Sequence, residues 1–91
     1  MTAQPHTKFI TDRRYSDPRI AMGRLLEIAN SLEADKGRIS IGPINRTMLD
    51  EGASVAEYVA ARDLAVDEGF ITMHLSRAYV LFTEKGAERF A

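Results

Sequence analysis

The sequence predicts a small α+β domain that is mostly helical and carries a three-stranded sheet. The most informative stretch is Leu64–Gly86, in which a helix stops at Gly69, a short apolar β-hairpin follows, and a helix starts again. Ser54 opens a Ser-Val-Ala-Glu sequence with the spacing of a helix capping box. A chain of 91 residues allows one domain. We expect that domain over residues 16–91, after a flexible basic N-terminal arm over residues 1–15.

The first predicted helix begins at Ser16-Asp17-Pro18. Ser or Asp can cap free backbone N–H groups there, and Pro suits the first helical turn. Apolar residues then recur at the spacing of one helix face: Met22, Leu25, Leu26, Ala29 and Leu32. This spacing predicts a long amphipathic helix, which we expect to end at Gly37.

The predicted sheet consists of a strand at residues 38–41 and a hairpin at residues 70–83. The strand alternates polar and apolar residues, and the hairpin is rich in β-branched and aromatic residues. Pairing Leu75 with Ala78 places six residues on one face, toward the helices. These six are Ile71, Met73, Leu75, Ala78, Val80 and Phe82. Because Ser76-Arg77 is poor chemistry for a two-residue turn, a four-residue loop is an alternative.

Two helices joined by a tight turn are predicted between the strand and the hairpin. Pro43 can open a short helix that runs to Glu51, and Gly52 suits a left-handed C-terminal cap. The Ser54 capping box then starts an Ala-rich helix over residues 54–68. The sequence therefore predicts a helix-turn-helix.

The order helix, strand, helix, turn, helix, hairpin, helix resembles the winged helix-turn-helix of small bacterial transcription regulators. The resemblance rests on the Ser54 capping box, the helix-to-hairpin junction at residues 67–71 and the strand exit at residues 79–86. It covers about residues 18–91. It implies that the helix after the turn enters the major groove of DNA, and that the hairpin, or wing, contacts the DNA backbone.

The resemblance also implies DNA-contacting residues on both helices and the wing tip, and the charge distribution adds two arginines of the basic arm. The set is Arg13, Arg14, Arg46, Ser54, Tyr58, Arg62 and Arg77. The leading exposed face of the second helix is expected to present Ser54, Glu57, Tyr58 and Arg62. Taken as residues alone, Tyr58 on an Ala-rich helix more often packs in a core. Arg62 can read guanine or pair with Glu57, Asp63 or Asp67 on its own helix. Arg13 and Arg14 can contact phosphates or simply be solvated.

The charge distribution leaves two functions open. Residues 1–24 carry a net charge of +3, whereas residues 52–71 carry −3. Because DNA affinity depends on cations that neutralise phosphates, double-stranded DNA binding by a homodimeric transcription regulator must draw on the basic arm. The alternative is a winged-helix protein-protein interaction module, whose acidic helix 54–68 contacts a protein partner instead of DNA.

The sequence predicts no enzyme, no cofactor and no metal site. Zero cysteines exclude thiol catalysis and cysteine-ligated zinc, and the only histidines are His6 and His74. No apolar run approaches the ~18 residues of a membrane span, and the N-terminus lacks the apolar segment of a secretory signal. We therefore expect a cytoplasmic protein with no membrane partner. The short chain, the long first helix and the apolar residues in the arm predict a homodimer.

Overall fold

The structure is a computed structural model that describes residues 13–91. Its elements are a 3₁₀ turn (Arg14–Ser16), α1 (Pro18–Ser31), β1 (Ile39–Ser40), α2 (Ile41–Asp50), α3 (Val55–Asp67), β2 (Ile71–Met73), β3 (Tyr79–Phe82) and α4 (Glu84–Glu88). The predicted α+β class is confirmed: the chain is mostly helical, with a three-stranded antiparallel sheet in the order β1-β3-β2. The part of the predicted arm at residues 1–12 lies outside the described residues.

The core lies between α1, α2, α3 and the sheet. Its most completely buried large side chains are Leu25, Leu26, Ile44, Met48, Ile71 and Val80. α1 packs mainly against α3 and also contacts α2. Asp17 caps α1 by accepting a hydrogen bond from the Arg19 backbone N–H at 3.0 Å, and Pro18 occupies the first turn, as predicted. The core therefore draws on each of the three longer helices and, because Ile39 of β1 is also 4% exposed, on all three strands.

α1 ends at Ser31, so the predicted end at Gly37 is wrong. Leu32 adopts an extended conformation and packs against the core. Asp35 and Arg38 then exchange backbone hydrogen bonds at 2.9 and 3.0 Å across a tight turn that contains Gly37 at φ 82°. The residues between Leu32 and Arg38 are exposed. A longer helix would bury nothing more there, so the hydrogen bonds of the turn decide the local structure.

The hairpin has the predicted register, with Ile71 opposite Phe82 and Met73 opposite Val80. The His74 backbone N–H donates to the Tyr79 carbonyl at 2.9 Å, which leaves residues 75–78 as a four-residue loop. The four-residue alternative is therefore the one the structure contains. The predictions that Leu75 and Ala78 face the helices are wrong, because the strand pairing ends before both of them. Ala78 is exposed, and the Leu75 side chain is 98% exposed at the tip.

The predicted helix, turn and helix are confirmed as α2, Gly52 and α3. α2 begins at Ile41, two residues before the predicted Pro43, and Gly52 adopts φ 103° after it. At the start of α3 the Ser54 hydroxyl accepts from the Glu57 N–H at 3.0 Å. In return the Glu57 carboxylate accepts from the Ser54 N–H at 2.9 Å. The capping box therefore fixes where α3 begins.

A Thr-x-x-Gly sequence ties α4 to the end of α3. The Thr83 hydroxyl lies within hydrogen-bond distance of the Gly69 carbonyl and 3.1 Å from that of Phe70, and it accepts from the Gly86 N–H at 3.0 Å. A Cβ atom at Gly86 would lie 1.9 Å from the Phe70 carbonyl oxygen. Only glycine fits this position without a backbone shift, so the motif holds the hairpin against the helices.

Tyr15, which the sequence analysis placed in the arm, belongs to the folded body and is 4% exposed. Its hydroxyl donates to Glu51, the residue after α2, at 2.6 Å. Arg24 on α1 donates to the two oxygens of the same carboxylate at 2.9 and 2.6 Å. The Arg24 hydrogen bonds, followed by that from Tyr15, lower the pKa of Glu51 to about 2. This cluster joins α1, α2 and the start of the described chain.

Candidate interaction surface

The exposed side of α3 is the candidate site, because this helix follows the turn. We define the α3 face as Val55, Ala56, Val59, Ala60, Asp63 and Asp67. Their spacing of one, three or four residues places them on one side of the helix. All are exposed except the half-buried Val59, and Val55 is 65% exposed. The N-terminal half of the α3 face is apolar, its C-terminal half carries two carboxylates, and none of its members is a Lys or Arg.

The apolar half of the α3 face is unusual because the opposite side of the helix already supplies the core. Tyr58, Ala61 and Ala65 are buried on that opposite side. A helix on a protein surface normally keeps polar residues on its solvent side. The sequence signal was present in the Val-Ala-Glu-Tyr-Val-Ala-Ala run, which has more apolar positions than one buried stripe requires. None of these exposed residues is among the predicted DNA contacts.

The predicted DNA contacts on α3 do not share the α3 face. Ser54 uses its hydroxyl in the capping box. Tyr58 is 5% exposed, so its predicted place on the leading exposed face is wrong, and the packing alternative describes it. Burial raises the pKa of the Tyr58 phenol. Arg62 lies one turn further along, 6.0 Å over the Tyr58 ring, and donates to Asp63 at 3.2 and 3.3 Å. Arg62 therefore forms the ion pair that is one of its two predicted roles, and its contact with guanine stays a prediction.

Arg13 and Arg14 lie where the described chain begins, beside the N-terminus of α3. Arg13 is 3.8 Å from the Glu57 carboxylate and borders a small cleft of 250 Å³ with Gly52 and Ser54. The Arg14 guanidinium lies 4.7 Å over the ring of Tyr15. Arg13 remains 71% exposed in its side chain, so its pairing with Glu57 contributes little to stability.

Arg46 and Arg77 are the remaining predicted contacts, and both are exposed. Neither forms an ion pair with another of residues 13–91. Arg46 lies on α2 and borders an open cleft of 340 Å³ together with Asn45 and Asp50. Arg77 lies in the hairpin loop at φ 65°, a left-handed conformation that reverses the chain there. Like Arg13 and Arg14, these two cations are predicted DNA contacts that stay exposed.

Nothing in the described chain assembles a metal centre or a membrane span. Residues 13–91 contain no group of three or more His, Cys, Asp or Glu side chains that could hold a metal ion. His74 instead packs edge-on against Tyr79, with ring centroids 5.7 Å apart, and its Nδ1 lies 2.8 Å from the Ser76 hydroxyl. Within the same part of the chain, every helix is too short or too polar to cross a bilayer.

Comparison with protein-family models, with curated proteins and with solved structures finds no match to this chain. The four helices and three-stranded antiparallel sheet of the described chain are compatible with a winged helix. The chemistry of the α3 face and the two exposed cations, Arg46 and Arg77, is therefore what indicates a function.

Proposed function

We propose that this protein is a winged-helix interaction module that binds a protein partner through the α3 face. The observation that supports this proposal is the composition of that face. Val55, Ala56 and Ala60 are apolar and exposed, Asp63 and Asp67 are acidic, and the neighbouring Arg62 is already paired with Asp63. A helix that reads DNA carries its exposed side into the major groove, close to the phosphates. Asp63 and Asp67 would be repelled there, because affinity for DNA comes from cations that neutralise phosphates.

The α3 face also indicates the chemistry of the partner. Val55, Ala56 and Ala60 offer an apolar surface to a complementary apolar surface, whose burial supplies the attraction. Asp63 and Asp67 lie at the far end of the same face and favour Lys or Arg on the partner. The partner that fits is an amphipathic segment with apolar side chains on one side and basic residues at one end.

DNA binding by a homodimeric transcription regulator is the second candidate. It is favoured by Arg46 and Arg77, which are exposed and have no ion pair among residues 13–91. In this candidate the two arginines contact phosphates, and Arg13 and Arg14 add to them. The α3 face then contributes shape and apolar contacts, such as Val55 against a thymine methyl group.

Two fluorescent probes separate the candidates when each is titrated with the full chain at low and at physiological salt. One probe is a helical amphipathic peptide of Leu and Lys, and the other is a random-sequence DNA duplex. We expect the peptide to bind. We expect the double variant Asp63→Lys, Asp67→Lys to bind the peptide about tenfold or more weakly. The matched control is Glu88→Lys, which reverses an exposed charge on α4 and should leave peptide affinity unchanged.

The opposite pattern would indicate that the protein binds DNA rather than a protein partner. In that case the duplex binds with an affinity that falls steeply as salt rises, by roughly 10³-fold or more for six or more phosphate contacts. Arg46→Ala and Arg77→Ala then each weaken duplex binding, and the Asp63→Lys, Asp67→Lys variant strengthens it. Peptide binding that Val55→Asp leaves intact would likewise contradict the proposed surface.

A further inference from the structure

The described chain begins beside the N-terminal end of α3. Arg13 is 3.8 Å from the Glu57 carboxylate and shares a small cleft with Ser54, the residue that directly precedes the α3 face. Tyr15 is 4% exposed, so the chain is held in the folded body from this point on. Residues 1–12 are therefore attached to the body close to one end of the α3 face.

The sequence just before Arg13 has the chemistry that the α3 face favours in a partner. Phe9 and Ile10 are apolar, and Lys8 directly before them is basic. The partner that fits the face is likewise a segment with apolar side chains and a basic residue at one end. Residues 8–10 are thus a candidate occupant that belongs to the chain itself.

The order of these residues matches the order of residues along the α3 face. Counting back from Arg13, the apolar pair comes first and Lys8 follows it. Along α3 from the same end, the apolar residues of the face come first, and Asp63 and Asp67 follow them. A segment that runs along α3 from its N-terminal end therefore places apolar groups against apolar groups and an ammonium group beside carboxylates.

The chain before Arg13 is long enough for this alignment. An extended chain spans at most about 3.3–3.6 Å per residue, so Lys8 can lie up to ~17 Å from Arg13. At about 1.5 Å per residue, Asp63 and Asp67 lie ~9 and ~15 Å beyond Glu57 along the helix axis. Lys8 can therefore reach both carboxylates, and the apolar pair covers the part of the face before them.

Asp67 carries the charge that this alignment needs. It is exposed and forms no ion pair within the described chain, whereas Asp63 is paired with Arg62 at 3.2 Å. Lys8 can therefore pair with Asp67 without displacing an arginine that the folded body already uses.

We propose that residues 8–10 dock on the α3 face of the same molecule, with Phe9 and Ile10 against its apolar half and Lys8 beside Asp67. The segment then occupies the surface that a partner uses, and the partner must displace it. Attachment through a short linker gives the segment an effective concentration on the order of millimolar, so weak contacts are enough to compete. The competition rests on the proposed function, whereas the contact itself does not.

Paramagnetic relaxation in the full chain tests the contact without any partner. The chain contains no cysteine, so Thr7→Cys provides a single site for a nitroxide label. We expect the label to broaden the amide signals of the α3 face more than those of the hairpin loop. Phe9→Ser with Ile10→Ser should remove this broadening, and Asp67→Lys should weaken it several-fold. The matched control is Gln4→Ala, a polar change in the same segment, which should leave it unchanged.

Two results would overturn the docked segment. One is broadening that is absent or that survives Phe9→Ser with Ile10→Ser. The other is broadening of the α3 face in an isotope-labelled chain when the nitroxide is on a second chain mixed with it, which would make another copy the occupant. In Asp67→Lys, the further change Lys8→Glu should restore the broadening, and a double exchange no better than Asp67→Lys alone would contradict the ion pair.

A separate titration with the Leu-Lys peptide measures the competition. The chain with Phe9→Ser and Ile10→Ser should bind the peptide several-fold more tightly than the wild type, because the face is no longer occupied. Equal affinities would overturn the competition. A peptide that binds neither chain would contradict the proposed function, and the broadening would still decide whether the segment docks.

Discussion

The Thr83–Gly86 junction and the α3 face differ in how completely the chain itself uses their residues. At the junction, the Thr83 hydroxyl contacts three backbone groups, Gly86 admits no side chain, and Lys85 donates to the Glu68 carbonyl at 2.7 Å. On the α3 face, Val55 stands 65% exposed on a helix whose core side is already filled. The difference separates motifs that build the fold from residues left over for binding.

The largest expected effect is at Gly86. Gly86→Ala should lower the free energy of unfolding by about 3–5 kcal/mol, because the new methyl group overlaps the Phe70 carbonyl, with which a Cβ would be 1.9 Å away. Urea unfolding measures the loss. The matched control is Gly23→Ala, which meets only an ordinary contact and should raise the free energy of unfolding by about 0.5–1 kcal/mol. Equal changes in the free energy of unfolding for Gly86→Ala and Gly23→Ala would contradict the view that the junction alone requires its glycine.

Thr83→Val keeps the shape of the junction and removes its hydroxyl. The Gly86 N–H and two carbonyls then lose a partner, so the free energy of unfolding should fall by about 1–2 kcal/mol. Thr83→Ser retains the hydroxyl and should recover most of that loss in the same denaturation experiment. If Thr83→Val and Thr83→Ser have the same free energy of unfolding, packing rather than hydrogen bonding stabilises the junction.

The Tyr15, Glu51 and Arg24 cluster belongs with the junction, because each of its groups has an internal partner. The folded-state pKa of Glu51 is lowered from 4.5 to about 2. A lowered pKa means that the stabilisation is fully present above about pH 4.5 and is lost as the pH falls toward 2. We expect the wild-type free energy of unfolding to drop by about 1–2 kcal/mol more than that of Glu51→Gln over this interval. Parallel pH profiles for the two proteins would contradict this.

The sequence predicted the junction and the caps better than the exposed surfaces, for a physical reason. The Ser54–Glu57 box and Gly52 act within a few residues, so local spacing was enough to place them. The alternation of residues predicted the register of the hairpin correctly. It did not predict the exposure of Leu75, because the turn that contains Arg77 ends the pairing of β2 with β3 before Leu75.

Helix rotation was the step that the sequence could not resolve. An Ala-rich helix offers apolar residues on every side, so spacing alone did not show which side α1 would cover. The structure buries Tyr58, pairs Arg62 with Asp63 and leaves Val55 exposed. The end of α1 was misjudged for a related reason. The residues after Leu32 had no tertiary contacts to extend the helix, and a turn formed at Gly37 instead.

The smallest expected effect on stability, and the sharpest test of the comparison, is at Val55. Val55→Ser should change the free energy of unfolding by no more than about 0.5 kcal/mol, because the side chain is 65% exposed and buries little apolar area. The same variant should weaken binding of the Leu-Lys peptide, since it removes the large exposed apolar side chain of the α3 face. Ala65→Val on the buried side of the same helix is the matched control. It should cost about 1–3 kcal/mol of stability through overpacking and leave peptide affinity unchanged. A Val55 variant that unfolds as readily as the Ala65 variant would show that the α3 face is part of the fold rather than a surface kept for a partner.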